Sequence, residues 1–421
     1  MAARPQLRAD RVLGWQSENK NKGPYRGQPE GVHLAYGGKP NLISITWTTF
    51  DDVGNSSVEY GENGRFDRSA TAAVSEFVDG GAKQSVRFIH RALIKDVQAG
   101  HRYNYRVGSE HGWSSVFSFV GLEERKGRRL QVRSIHKHFL RYPLDCRIAC
   151  FGDLGNINAR SLGKLQRMSQ DGDFDMVIHN GDFAFDLGLT HFVAINTEFY
   201  YFNGRDEIQT QWNWLVDDLK VLAEFHCSKT HFFSLQKANA NRNNVPWIVL
   251  YMHRSMYCSD VEGQCGTREL ILRQVELESP HFCPLIVCSE GLDWSGTFGL
   301  EKLIYESGVD LVIGAHEHSR PYEDPPAPVL LIVGSAGCQE ETNHYKDPPA
   351  WSAFRSSNYG FGLLQVFNRT HLHYEQVKAS EVRTELEDEM WLVQTEHRTR
   401  TAADLERLKR EGVYMKPSNF P

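Results

Sequence analysis

From residue 31 the chain alternates apolar and polar positions in short runs, 32–36, 43–49, 57–60, 86–93, 102–107 and 115–120, separated by Gly, Asn and Asp turns. Runs of this length predict strands with one face buried, and a series of them predicts a small β-sandwich. Tyr103 and Tyr105 alternate just after Ala99-Gly100, which suits a strand start whose tyrosine hydroxyl bonds back to the preceding corner. From Arg147 the texture becomes strand-then-helix. Unbroken apolar runs at 148–151, 176–178, 247–251, 311–313 and 329–333 predict buried strands. Between them, helical periodicity appears at 157–168, 208–225, 269–277 and 300–307, the second with Trp212, Leu215, Leu219 and Leu222 on one stripe. The fold class expected is therefore an all-β sandwich followed by an α/β layered domain, closed by a hairpin over 360–367 and 370–376. The domains expected are a disordered polar lead over 1–27, the sandwich over 28–121, a basic linker over 122–145, the α/β domain over 146–320, a carboxyl-terminal region over 321–380 and a tail over 381–421. The tail carries one exposed helix, 402–410, and no site signal.

Composition narrows the function classes more than the fold. With 40% apolar residues, 11% aromatics and a net charge of -6, the chain can bury a sizeable core and has no global bias toward nucleic acid or an anionic membrane. It holds no apolar run of about 18 residues, so no membrane span is expected, and the opening residues are too charged for a signal peptide. Cys258 and Cys265 are spaced to close a short loop or to stand as two buried thiols. Sequons at Asn55 and Asn368 are candidate glycosylation sites.

The candidate chemistry lies where the buried runs end. After 148–151 comes Gly152-Asp153-Leu154-Gly155; after 176–178 comes His179-Asn180-Gly181-Asp182; after 247–252 comes His253; after 311–313 comes Gly314-Ala315-His316-Glu317-His318. Four strands are thus expected to deliver carboxylates and imidazoles to one edge of a sheet, where loops converge on a rigid frame. His316-x-His318 alone is commonplace; the ordered set is what points to a metal centre. Oxygen and imidazole donors suit Fe, Zn or Mn, and a bridging carboxylate suits a cation pair that orients a phosphate for in-line attack.

The blocks GDLG at 152–155, GDFAFD at 181–186, MHRSMYCS at 252–259 and AHEHS at 315–319 resemble, in that order, the signature of the animal purple acid phosphatases, calcineurin-like metallophosphoesterases. The front module, 31–122, is similar to that family's fibronectin-type-III-like domain, and GSAGCQE at 334–340, PPAWSAF at 348–354 and the stretch 358–373 are similar to its carboxyl end. The resemblance implies an acid phosphatase of phosphate monoesters, with Asp153 and His318 on a first metal, Fe(III), Asp182 bridging, and His253 and His316 on a second, Fe, Zn or Mn. A hydroxide held by the ferric ion would attack phosphorus. It also implies a secreted or lysosomal glycoprotein, and homodimers occur in the family.

Two departures bear on activity. Phe185 stands where the family has the tyrosine that binds Fe(III) and colours it. The Gly-Asn-His-Glu block, whose Asn ligates the second metal and whose His contacts substrate, is absent between Asp186 and His253, so no substrate-contacting catalytic residue can be assigned. Loss of a core strand with that block is expected to expose two sheet edges. The second functional expectation is accordingly a non-catalytic secreted scaffold or binding protein derived from such a phosphatase.

Overall fold

The computed structural model describes residues 24–78, 84–122, 147–154, 158–178, 183–201, 205–219, 238–257, 272, 299–314, 322–323, 327–337, 354–379 and 385–410. The chain divides into two compact units between 123 and 124.

The first unit is built of β1 (Glu30–Tyr36), β2 (Ile43–Thr49), β3 (Ser57–Glu62), β4 (Arg68–Thr71), β5 (Ala73–Val78), β6 (Val86–Ile94), β7 (Arg102–Ser109), β8 (Gly112–Trp113) and β9 (Phe117–Val120). One sheet has the order β1-β2-β6-β5 and the other β4-β3-β7-β8, with β9 also on β7. Alternation decides which residues meet. Ile43, Ile45 and Trp47 of β2 point inward with Ala92 and Ile94 of β6, against Val58, Tyr60, Tyr103, Tyr105 and Val107 of β3 and β7. The tyrosine corner forms as expected, the Gln98 N–H donating to the buried Tyr103 hydroxyl at 3.0 Å. Strands β4 and β5 were not expected. Every position of β5 is exposed, so no buried face writes a period into its sequence; pairing to β6 along Ala73–Val78 makes it a strand.

The second unit holds β10 (Arg147–Cys150), α1 (Leu162–Asp171), β11 (Met176–Ile178), β12 (Phe183–Leu187), β13 (Thr190–Ile195), α2 (Glu198–Tyr201), α3 (Arg205–Leu219), β14 (Trp247–Met252), α4 (Leu300–Glu306), β15 (Leu311–Gly314), β16 (Tyr322–Glu323), β17 (Val329–Ile332), β18 (Gly360–Val366), β19 (His371–Lys378), β20 (Glu385–Val393) and α5 (Ala402–Arg410). They make two sheets, β11-β10-β18-β19-β20-β16 and β12-β13-β14-β15-β17. In the second, β13, β14, β15 and β17 run parallel, which is why their sequences read as unbroken apolar runs. Helix α3 lays Ile208, Leu215 and Leu219 onto Val193, Ile195, Ile248 and Leu250 of that sheet. Helix α1 ends where Gly172, at φ 75°, turns its N–H back to the Met168 and Ser169 carbonyls.

Three expectations change. The gap after Asp186 does not leave β14 as an edge: β12 and β13 close a tight antiparallel hairpin through Gly188 at φ 58°, and β13 pairs along all of β14 from Thr190↔Trp247 to Ile195↔Met252. The run 190–195 is buried at every position and supplies the neighbour that a simple deletion would have removed. The closing hairpin is a three-stranded meander, because β20 pairs along β19 within the stretch read as the start of the tail. The four predicted strand ends also belong to two sheets, since β10 takes β11 and antiparallel β18 as neighbours while β14 takes β13 and β15. The predicted helix at 269–277 lies outside the described residues except for Leu272.

Candidate metal centre

Asp153 leaves the carboxyl end of β10 and His253 leaves the carboxyl end of β14, so the pair is brought together across the two sheets. Asp153 Oδ1 stands 3.7 Å from His253 Nδ1. Both side chains are about a third exposed or less, at 26% and 35%, which leaves the pair accessible to a ligand.

The backbone is arranged around Asp153. It adopts φ 49°, a left-handed conformation uncommon outside glycine and tolerated by Asp. The Gly152 N–H donates to the Val333 carbonyl at 2.7 Å, tying the end of β10 to the residue after β17 in the other sheet. Gly337 passes beneath the same loop: a Cβ there would stand 2.0 Å from the Leu154 carbonyl oxygen and 2.6 Å from that of Asn158. A glycine in the GSAG segment is thus required for close approach of two backbones.

His253 has neighbours that the motif reading missed. Glu198, at the start of α2, places Oε1 3.6 Å from His253 Nε2 and accepts from Arg254 Nε at 2.8 Å. The Arg254 N–H donates to Thr197 Oγ1 at 2.7 Å. The signal that would have found them is the apolar run 190–195: once it is a strand beside β14, the residues following each must emerge together.

Below this site His191 is buried between two carboxylates, Nδ1 at 2.6 Å from Asp186 Oδ1 and Nε2 at 2.8 Å from Asp218 Oδ2. Asn241 Nδ2 adds a hydrogen bond to Asp186 Oδ2 at 3.2 Å. Burial disfavours the imidazolium, but the two carboxylates outweigh it and raise His191 to about 9. Behind β10, Cys150 is fully buried, with its thiol pushed up to about 12 by burial and its sulfur 3.3 Å from the Tyr251 hydroxyl, an unreactive setting.

Of the other predicted site residues, Asp182, His316 and His318 lie outside the described residues, as do Cys258 and Cys265. Among the described residues no group of three or more His, Cys, Asp or Glu side chains is set to hold a metal ion. Phe185, in β12, stacks its ring on Phe192 at 5.3 Å. Asn55 is exposed between β2 and β3. Asn368 sits in the β18–β19 turn, its Oδ1 accepting from the Thr370 and His371 N–H groups at 2.8 Å each.

Comparison with known proteins identifies the family of the chain. The family model described as "Purple acid Phosphatase, N-terminal domain" matches residues 29–120, and that described as "Iron/zinc purple acid phosphatase-like protein C" matches 327–389. The mouse (Mus musculus) protein "Acid phosphatase type 7" is 31% identical over 448 residues, spanning 87% of this chain and 91% of its own length. Its zebrafish (Danio rerio) counterpart is 31% identical over 460, spanning 89% and 93%. Both aligned spans exceed the 421 residues of this chain, so each relative carries residues that have no counterpart here. The solved structure of a purple acid phosphatase from yellow lupin (Lupinus luteus) seeds superposes with a TM-score of 0.56 at 15% identity, covering 94% of this chain and 77% of that one, a likeness of fold. With that identity sustained along most of its length, and with family models matching near both of its ends, the chain belongs to the purple acid phosphatase family.

Proposed function

We propose that this chain hydrolyses phosphate monoesters at acid pH, with Asp153, Asp182, His253, His316 and His318 as the residues that hold its metal pair. The observation that supports it best is the convergence of Asp153 and His253 at 3.7 Å from two different sheets, each within one of the blocks, GDLG at 152–155 and MHRSMYCS at 252–259, that resemble the family signature. The donors fit the group: carboxylate oxygen and imidazole nitrogen suit Fe, Zn or Mn. Asp153 and His318 would hold the first ion, Fe; Asp182 would bridge; His253 and His316 would hold the second, Fe, Zn or Mn. When bound, such a pair supplies Lewis acidity toward a phosphoryl oxygen and acidifies a water.

The chain's own part is positional. The Asp153 carboxylate stands 3.7 Å from the His253 ring, and the hydrogen bonds from Arg254 to Thr197 and Glu198 fix the segment that carries His253. By the same resemblance the protein is a secreted or lysosomal glycoprotein, modified at Asn55 and Asn368, of a family in which homodimers occur.

One observation favours the second reading, a non-catalytic binding or scaffold protein. The β12–β13 hairpin turns through residues 188–189, so no strand carrying the Asn ligand and the substrate-contacting His intervenes between them. Removing one electrostatic donor from a site of this kind typically costs about 10²- to 10³-fold in rate, and here two groups are gone. The test is hydrolysis of an aryl phosphate at acid pH by the chain as it stands and by a version with a relative's block inserted after Asp186, with Asp182→Asn as the blank. Slow, Asp182-dependent turnover that rises steeply on insertion supports the phosphatase. Equal turnover in the two would show that the gap does not matter. No turnover in either supports the scaffold.

A further inference from the structure

Asp153 and His253 follow the carboxyl ends of β10 and β14; at the opposite end of the two sheets residues 394–400, between β20 and α5, run from one sheet to the other. The Gln394 N–H donates to the Thr370 carbonyl in the β18–β19 turn at 2.9 Å, and the Arg400 N–H donates to the Glu306 carbonyl at the end of α4, also at 2.9 Å. Between these ties the strap lies directly against the turn before β15, where Gly308, at φ 66°, leaves no room for a Cβ beside the Arg398 carbonyl. His397 sits in the middle of the strap with its side chain 8% exposed. Its Nδ1 stands 3.1 Å from Asp310 Oδ1, just before β15 of one sheet, and its Nε2 stands 2.7 Å from the Arg369 carbonyl oxygen, in the β18–β19 turn of the other. The ring also meets Trp247, the first residue of β14, edge-on at 4.6 Å, and the Trp247 indole N–H donates to the Asn368 carbonyl at 2.8 Å.

A main-chain carbonyl and an ionised carboxylate can only accept, so a ring with each nitrogen at hydrogen-bond distance from one of them donates from both and carries the imidazolium charge. Asp310 is ionised: burial works against its charge, but the hydrogen bond from His397 and the nearby Arg242 outweigh it. The arginines around the ring are directed to other acceptors. Arg242 Nη1 is on Asp310 Oδ2, Arg369 Nη2 on the Arg242 carbonyl, Arg400 Nη1 on the Tyr305 and Val309 carbonyls, and Arg398 on Asp404 and Glu396. We propose that His397 is a pH-sensitive lock: as an imidazolium it ties the strap to Asp310 and to Arg369 at once, and on losing a proton it gives up one of the two and frees the strap from one sheet. Histidine changes charge between about pH 5 and pH 8, and here the charged form closes the strap. The lock is therefore shut under the acid conditions of the proposed reaction and opens as pH rises toward neutral.

The test is amide hydrogen exchange of the full chain, read by mass spectrometry at about pH 5 and about pH 8, with each rate corrected for the intrinsic effect of pH on exchange. Loss of one charge-assisted hydrogen bond is expected to lower the protection of residues 394–400 roughly 10- to 100-fold between the two, while β14, buried at every position, keeps its protection. In His397→Gln, which takes up no proton in this range, strap protection is expected to be low and the same at both pH values. His191→Gln, which removes the histidine held between Asp186 and Asp218, is expected to keep the difference. Constant strap protection in the unaltered chain, or an equal fall in His397→Gln, would overturn the proposal. If His397→Gln fails to fold, the unaltered chain and His191→Gln decide: a fall confined to the strap in both supports the lock, and its absence from either refutes it. The readout needs no turnover and no metal, so the lock and the reading of the metal pair stand or fall separately.

Discussion

His191 couples fold to pH through a single side chain. Asp186 and Asp218 raise it to about 9, above the 6.5 of an exposed imidazole, so the charged form favours the folded state. That contribution is complete below about pH 6.5 and is lost as pH rises through 9. The difference in unfolding free energy between the unaltered chain and His191→Gln should therefore shrink, on the order of 3 kcal/mol, between pH 6 and pH 10. Urea melts at the two pH values check it, and a constant difference would mean that folding does not raise the pKa of His191. Phe185 makes the second residue-scale prediction. Its ring lies in an aromatic series with Phe192 and Tyr251, at 5.3 Å and 6.1 Å between successive centroids, and it has no donor atom for a metal. The iron-loaded chain should show no ferric-phenolate absorption, and Phe185→Tyr should introduce it; a visible spectrum of each decides.

At the scale of elements, the second unit is held by a buried ion pair that no motif signalled. Arg242 donates to Asp310 Oδ2 at 2.7 Å and to the carbonyls of Pro246 and Gly308, while Asp310 also meets the Ile248 N–H at 2.8 Å and His397 Nδ1 at 3.1 Å. This joins the segment before β14, the turn before β15 and the segment before α5. Burial pushes the Asp310 carboxyl up, but His397 and Arg242 hold it below the usual carboxylate range. Asp310→Ala leaves the guanidinium buried without its partner and should cost about 3–5 kcal/mol of unfolding free energy, read as a lowered guanidinium-chloride midpoint of the second unit. Arg242 and Asp310 are far apart in sequence, and neither lies in a periodic pattern, so the pair is invisible before folding. The hairpin β12–β13 was hidden for a related reason: the run 190–195 is too short for its period to separate strand from helix, and only its register with β14 settles it.

For the whole molecule, the front unit has its own core around Trp47, whose indole stacks on the buried His90 ring at 5.2 Å, and His90 is in turn held by Thr49 Oγ1 at 2.9 Å and Ser56 Oγ at 2.8 Å. Residues 28–121 expressed alone should therefore unfold in one cooperative transition followed by tryptophan fluorescence and far-ultraviolet circular dichroism together. Separate transitions for the two probes, or no transition, would show that the unit needs the rest of the chain.

The alternation of β2, β6 and β7 and the buried runs of β10, β14, β15 and β17 are local consequences of having one face or two faces away from water, so the sequence by itself determined the sandwich, the parallel strands and the Gly-Asp and His residues at their ends. It also determined that Phe185 stands where a phenolate is expected. What the tertiary structure decided is everything that depends on which strands become neighbours. Asp153 and His253 meet because two sheets abut; β4, β5 and β20 are strands because a partner pairs with them; and Glu198 faces His253 because β13 lies parallel to β14. Hydrophobic periodicity reports the environment of a residue's own element and carries no information about the element across the interface, so no reading of single elements brings Asp153 and His253 together.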